Sequence, residues 1–245
     1  MKFVIGDIHG EISKLKKLVL HITSIDKTPD LIFIGDYLDK GENVKQTLIY
    51  LNELSRRYSC TFIIGNHEYL WMTLQETFSE SSDYLIKYGG LQTVNSFNCK
   101  DIVETHKILM NDFGDFFSKL LPYWMDENYI VVHSGILPER YNNDISYIQI
   151  ENLLFNRYDF LSIEKLYLNK FRVIFGHTGF YYPYCNEYKI GIDTAACFLE
   201  NQPLTAYCID NHSFYNSERL IYTEQSIIKN VCPNIIRVKP WRYAD

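Results

Sequence analysis

The sequence predicts an α/β fold whose first third is a parallel β-α-β-α-β unit, and three observations predict it. Three apolar runs, Lys2-Phe3-Val4-Ile5, Leu31-Ile32-Phe33-Ile34 and Thr61-Phe62-Ile63-Ile64, each end at a glycine. The two segments between them carry apolar residues at helical spacing. After Phe171 the chain reads as a succession of strands.

The elements follow in order. Over residues 11–24, Ile12, Leu15, Leu18, Val19 and Ile22 share one helix face, while Lys14, Lys16 and Lys17 take the other. This is a crossover helix between parallel strands. Residues 42–57 repeat the pattern with Val44, Leu48, Leu51 and Leu54. Helix-like stretches at 69–78 and 101–121 flank Tyr88-Gly89-Gly90, so a mostly helical cap is expected over about residues 69–121. Pro122 opens a strand pair, 123–125 and 129–132, turned at Asp126-Glu127-Asn128. Strands are then expected at 172–175, 188–192, 204–209 and 219–223, with a turn at Asn201-Gln202-Pro203. The tail, 224–245, holds the apolar run Ile235-Ile236-Arg237-Val238, which fits a last strand.

Composition bounds the function. Hydrophobic residues make up 47% of the 245 residues and charged residues 22%, which is the balance of a globular protein with a substantial core. A net charge of −6 argues against a broad nucleic-acid footprint. It does not argue against a phosphate substrate, because bound metals make a local cationic site. No stretch approaches the ~18 apolar residues of a membrane span. Met1-Lys2 leads straight into the first strand, so no cleaved signal peptide is expected. Cys60, Cys99, Cys185, Cys197, Cys208 and Cys232 form no CxxC pair, and the expectation is reduced, mostly buried thiols in a cytoplasmic protein. No internal repeat or linker interrupts the chain, and residues 1–245 are expected to form a single domain.

The residues directly after each apolar run carry the chemistry. After the first run come Gly6-Asp7-Ile8-His9-Gly10, after the second Gly35-Asp36-Tyr37-Leu38-Asp39-Lys40-Gly41 and after the third Gly65-Asn66-His67-Glu68. Two later runs give Val131-Val132-His133-Ser134-Gly135 and Val173-Ile174-Phe175-Gly176-His177-Thr178. Asp, His and Asn supply the oxygen and nitrogen donors that hold divalent metals. Strand ends gather at one edge of a sheet, where α/β folds bind ligands. The loops therefore predict one metal site.

This ordered set resembles the calcineurin-like metallophosphoesterases. Within them it is most similar to the branch of Ser/Thr protein phosphatases and symmetrical diadenosine tetraphosphatases. The resemblance runs from Gly6 to about Ile209 and implies a two-sheet β-sandwich flanked by helices. It implies two divalent metal ions, with Asp7 and His9 on the first, Asn66, His133 and His177 on the second, and Asp36 bridging both. The chemistry agrees, because a shared ligand must offer an oxygen to each cation, which a carboxylate does and an imidazole cannot. Such donor mixtures suit Mn, Fe or Zn better than Ca, and manganese is the expected ion. Two metals about 3.5–4 Å apart can activate a bridging water and hold the oxygens of an in-line displacement.

The resemblance also implies that His67 is the general acid and that Asp39 pairs with it. It implies phosphate binding by Arg157, in Leu153-Leu154-Phe155-Asn156-Arg157, and by the residue at position 40. Here the chain departs from its relatives: Lys40 stands where they carry Arg, and it keeps the charge but not the planar fork. A second departure is Ile192-Asp193-Thr194-Ala195-Ala196, where relatives have Asp-Thr-Gly, and loss of that glycine is expected to alter a turn near the site. The run Phe180-Tyr181-Tyr182-Pro183-Tyr184 is open between an apolar wall for substrate and plain packing. His21, His106 and His212 match no motif. The implied activity is hydrolysis of phosphomonoesters, foremost phosphoserine and phosphothreonine in protein, or of small phosphoesters. Symmetrical dinucleoside tetraphosphate hydrolysis is the alternative, and a non-catalytic scaffold of the same fold ranks below both.

Overall fold

The computed structural model describes residues 1–74, 79–141, 144–166, 168 and 170–228. The opening unit is β1 (Lys2–Ile5), α1 (Ile12–Ile25), β2 (Asp30–Phe33), α2 (Val44–Arg57) and β3 (Ser59–Phe62). The β1–β2 and β2–β3 pairs are parallel, with Val4 opposite Ile32 and Ile32 opposite Thr61. The helices are those the spacing predicts, with Leu15, Leu18 and Ile22 of α1 and Leu48, Leu51 and Leu54 of α2 buried. Four helices come next: α3 (Asn66–Met72), α4 (Ser79–Lys87), α5 (Gly90–Ser96) and α6 (Ile102–Phe117). The helix expected at 69–78 runs instead from Asn66 to Met72, and residues 75–78 lie outside the described residues.

The second half supplies β4 (Tyr123–Met125), β5 (Tyr129–Val132), α7 (Glu151–Leu154), α8 (Tyr158–Ser162) and β6 (Arg172–Phe175). β7 (Tyr184–Cys185), β8 (Lys189–Gly191), β9 (Thr205–Cys208), β10 (Ser213–Asn216), β11 (Ile221–Thr223) and α9 (Glu224–Ile228) complete it. The strands form two mixed sheets, in the orders β11-β10-β9-β1-β2-β3 and β4-β5-β6-β8-β7. The two-sheet sandwich flanked by helices is therefore borne out. β7 and β10 were not foreseen, and the strand expected at Ile235–Val238 lies outside the described residues.

Period-two alternation builds the layers. Val4, Ile32, Val131, Ile174 and Ile190 point into the core between the sheets. Phe3, Ile5, Leu31 and Phe33 point the other way, onto α1, α2 and α6. Ile130, Val132, Val173 and Phe175 face Leu153 and Phe160 of α7 and α8. β1, β2, β5 and β6, each next to a ligand loop, are thus fixed on both faces. Among the described residues no helix is long and apolar enough to cross a membrane, and Cys60, Cys99, Cys185, Cys197 and Cys208 are free thiols.

Candidate metal centre

Five loops meet where the parallel strands of both sheets end. The loop after β2 receives the one after β1, because the Asp36 carbonyl accepts the Ile8 N–H at 3.0 Å and the His9 N–H at 2.8 Å. The loop after β6 is tied to β1 and β5, since the His177 N–H donates to Asp7 Oδ2 at 2.9 Å and the Gly176 N–H to the His133 carbonyl at 2.8 Å. The backbone is strained at this point. His9, Asp36, Asp39, Lys40 and His177 all hold a left-handed φ, between 45° and 66°, which for residues with a side chain persists only when the surroundings impose it. Approach is also close. A Cβ at Gly176 would lie 2.0 Å from Asp7 Oδ1, and one at Gly65 2.3 Å from Asp36 Oδ1.

Asp36 is at the middle. Its Oδ2 lies 3.1 Å from His9 Nε2 and its Oδ1 3.3 Å from His133 Nε2. His133 Nε2 is 2.9 Å from Asn66 Oδ1 and 3.2 Å from His177 Nδ1. Two buried sets of candidate donor atoms, His9–Asp36–His67 and Asp36–His133–His177, each fall within 4.8 Å, and Asp36 belongs to both.

The donor set fits divalent ions. His9 Nδ1 donates to the Leu38 carbonyl at 2.7 Å and His133 Nδ1 to the Ile34 carbonyl at 3.1 Å. Each of those bonds sets the tautomer that leaves the Nε2 lone pair facing inward, as a metal-binding imidazole requires. Burial first, and the Lys40 charge next, pull the His9 pKa down; burial and Arg157 do the same for His177. Burial pushes Asp36 up, but His133, His67 and His9 together outweigh it and hold the carboxyl well below its usual range. Asp7 is driven well up by burial and by the charges of Asp193 and Asp36. Its Oδ1 is buried without a hydrogen-bond partner, which is the condition a bound cation relieves.

His67 Nε2 faces the same space, 3.8 Å from Asp36 Oδ2, while its Nδ1 lies 2.7 Å from Asp39 Oδ2. The other Asp39 oxygen accepts from Trp71 Nε1 at 2.9 Å and from the Thr93 hydroxyl at 2.5 Å. Asp39 is therefore locked in place by α3 and α5 and in turn fixes the His67 ring. Lys40 also turns inward. Its Nζ is 2.6 Å from His9 Nε2 and 4.8 Å from the Phe198 ring centroid. Arg157 flanks the opposite side, with Nη1 donating to the His177 carbonyl at 2.7 Å.

Two residues that build the site had no role in the sequence reading. Glu68 is fully buried, and its carboxylate accepts four backbone N–H groups, those of Gly65 and Asp36 on Oε2 and of Tyr37 and Leu38 on Oε1, at 2.8–3.1 Å. It joins the Asp36 loop to the start of α3. Asn156 joins Arg157 to the His133 loop, donating its own N–H to Ser134 Oγ and its side-chain amide to the Gly135 carbonyl, both at 2.9 Å. The only forewarning was the place of each in a motif, since bonds to backbone amides leave no spacing signal.

Two expectations about the surroundings change. The turn at Ala195 survives the missing glycine: Ala195 holds φ 55°, and its N–H donates to Asp193 Oδ1 at 2.8 Å. The aromatic run divides. Phe180 is buried and stacks on Tyr184 at 5.5 Å, so these two are packing. Tyr181 and Tyr182 are exposed at the rim of a cavity of about 480 Å³ shared with Asn201, Pro203 and Tyr222.

With this geometry in view, comparison with known proteins decides the family. A sequence model of the calcineurin-like phosphoesterases matches residues 3–209. The chain belongs to the calcineurin-like phosphoesterase family. Calcineurin-like phosphoesterases are hydrolases, and the chain takes its enzyme class from that membership. It is 33% identical over 138 residues to serine/threonine-protein phosphatase 2B catalytic subunit A2 of Saccharomyces cerevisiae, covering 56% of this chain and 20% of that protein. The chain spans less than half the length of the curated relatives it matches. Among solved structures it is similar to a putative diadenosine tetraphosphatase, at 16% identity and a TM-score of 0.62 over 88% of this chain and 91% of the other. It is also similar to a cold-active protein-tyrosine phosphatase of a psychrophilic Shewanella species, at 12% identity and a TM-score of 0.65 over 91% and 80%. Both likenesses are of fold.

Proposed function

We propose that this calcineurin-like phosphoesterase hydrolyses phosphomonoesters with two divalent ions, and that its substrates are phosphoserine and phosphothreonine in protein. The observation that supports the reading best is the sharing of Asp36, whose two oxygens face two separate sets of buried donors. Asp7, His9 and Asp36 would hold one ion, and Asp36, Asn66, His133 and His177 the other. Manganese is the ion proposed, with iron or zinc as alternatives of the same chemistry. When bound, the ions supply an activated water and positive charge for the phosphate oxygens. The chain itself supplies a proton at His67 Nε2 for the leaving oxygen, with Asp39 fixing the ring. Lys40 and Arg157 bind the phosphate from opposite sides. The choice of phosphoprotein rests on the serine/threonine-protein phosphatase relatives.

Hydrolysis compared side by side tests this. The substrates are an aryl phosphate, phosphoserine, phosphothreonine and phosphotyrosine peptides, and diadenosine tetraphosphate, each with added Mn²⁺ or with chelator. The phosphoserine and phosphothreonine peptides should turn over, chelator should stop them and Mn²⁺ should restore them. Turnover of diadenosine tetraphosphate alone would replace the substrate. Full activity in excess chelator would overturn the metal reading.

Lys40 gives a sharper check. A charge-assisted hydrogen bond to phosphate is worth roughly 1.5–3 kcal/mol, so Lys40→Ala should lower kcat/KM about 10–150-fold. Lys40→Arg should match or improve on the parent through two-point contact. Parent-like kinetics in both variants would mean that phosphate never touches this side chain.

A further inference from the structure

Lys189 has no exposed surface. It lies on β8, inside the second sheet between β6 and β7. A buried ammonium is costly unless its donors are met. Nζ donates to three carbonyl oxygens, those of Phe160 at 2.6 Å, Leu161 at 3.3 Å and Ile163 at 2.5 Å. It also stands 4.7 Å from the Phe160 ring centroid. Among the described residues no carboxylate pairs with it, and burial pulls its pKa down to about 8. Its acceptors all belong to the end of α8 and the residue that caps it. The last carbonyls of a helix have no intrahelical partner, and a cation there also meets the negative end of the helix.

The residue at the other end of α8 gives this contact its meaning. Arg157 is the N-cap, and its carbonyl accepts the Leu161 N–H at 3.0 Å. Five residues of helix do not hold themselves together in water, so α8 depends on what it is fastened to. The Arg157 side chain is exposed, and its direction is set by where the backbone of α8 sits. On the inner side the Phe160 ring fills the space beside Gly135, where a Cβ would come within 2.4 Å of it. β8 therefore reaches through Lys189 to α8, and α8 presents Arg157 to the His177 carbonyl.

We propose that Lys189 is a positioning residue for Arg157. By holding the C-terminal carbonyls of α8 it fixes the helix, and with it the guanidinium, at the edge of the metal centre. This rests on the reading of Arg157 as phosphate-binding.

Titration calorimetry of inorganic phosphate into the Mn²⁺-loaded full chain tests it without turnover. The parent is compared with Lys189→Met, Arg157→Ala and the double variant, alongside thermal melting. Lys189→Met should weaken phosphate binding roughly 10-fold, the scale of a modest misplacement. The double variant should bind no worse than Arg157→Ala alone, and steady-state KM should rise while kcat holds within about two-fold. Lys189→Gln keeps amide donors and should recover part of the loss; it also serves for the comparison if Lys189→Met does not fold. A lower melting temperature with unchanged phosphate affinity would show a purely structural lysine and overturn the proposal. Losses that add in the double variant would do the same. If Arg157→Ala itself leaves phosphate affinity unchanged, the phosphate-binding reading of Arg157 falls and the positioning role falls with it.

Discussion

Asp36→Asn should strip the chain of both metal ions and lower kcat by ~10³-fold or more, because metal stabilisation of transition-state charge is worth several kcal/mol. The size follows from the position of one side chain. Asp36 Oδ2 faces His9 Nε2 and Oδ1 faces His133 Nε2, at 3.1 and 3.3 Å. Asparagine keeps one oxygen and turns the other acceptor into an N–H donor, so it cannot offer a lone pair in both directions. It also removes the negative charge that two neighbouring cations would share. The fold should survive, since the backbone of residue 36 keeps its bonds to Ile8, His9 and Glu68. Metal content per chain by elemental analysis, turnover and a thermal melt separate these effects. Two ions retained in a folded variant would show that Asp36 is not the shared ligand. A loss of one ion only would assign it to a single half of the centre.

How much of this was legible differs between residues. The opening strands were readable because apolar runs bounded by glycine have few other solutions. The ends of the second and third were read one and two residues late, since Ile34, Ile63 and Ile64 continue the apolar pattern into the ligand loops and are buried there beyond the last residues of β2 and β3. β10 was missed because Ser213-Phe214-Tyr215-Asn216 ends in polar residues that look like a turn. All four are buried, and Asn216 caps the following turn by accepting the Glu218 and Leu220 N–H groups. The second sheet and the sandwich came from resemblance, since pairing between distant strands has no local signature.

The same division holds in the centre. Asp7, His9, Asp36, Asn66, His67, His133 and His177 come after strand ends and are brought together. The groups that hold the backbone around them in shape were silent. Glu68 acts through four backbone amides, and Lys189 through three backbone carbonyls. In a sequence either would pass for a surface charge. Only the burial of each side chain shows that it is part of the framework.

His67→Asn is the second large expected effect, a fall in kcat of about 10²–10⁴-fold with metal content retained. The geometry leaves two roles for this ring. Its Nε2 stands with His9 and Asp36 in one donor set, as a ligand's would. Its Nδ1, however, is held by Asp39 at 2.7 Å, and Asp39 is itself fixed by Trp71 and Thr93. A carboxylate braced in this way fixes the ring so that Nε2 faces the site, where a proton can reach a leaving oxygen. Comparing leaving groups distinguishes the roles. An alkyl ester such as phosphoserine leaves as a poor group that needs a proton, whereas an aryl phosphate leaves readily without one. If His67 is the acid, the variant should be damaged most on phosphoserine peptides and least on the aryl phosphate, with two ions still bound. Asp39→Asn should reproduce a weaker version of the same pattern, because the ring keeps its place but loses the charge behind it. An equal loss on both esters, together with a missing ion, would make His67 a ligand and leave the proton to come from elsewhere.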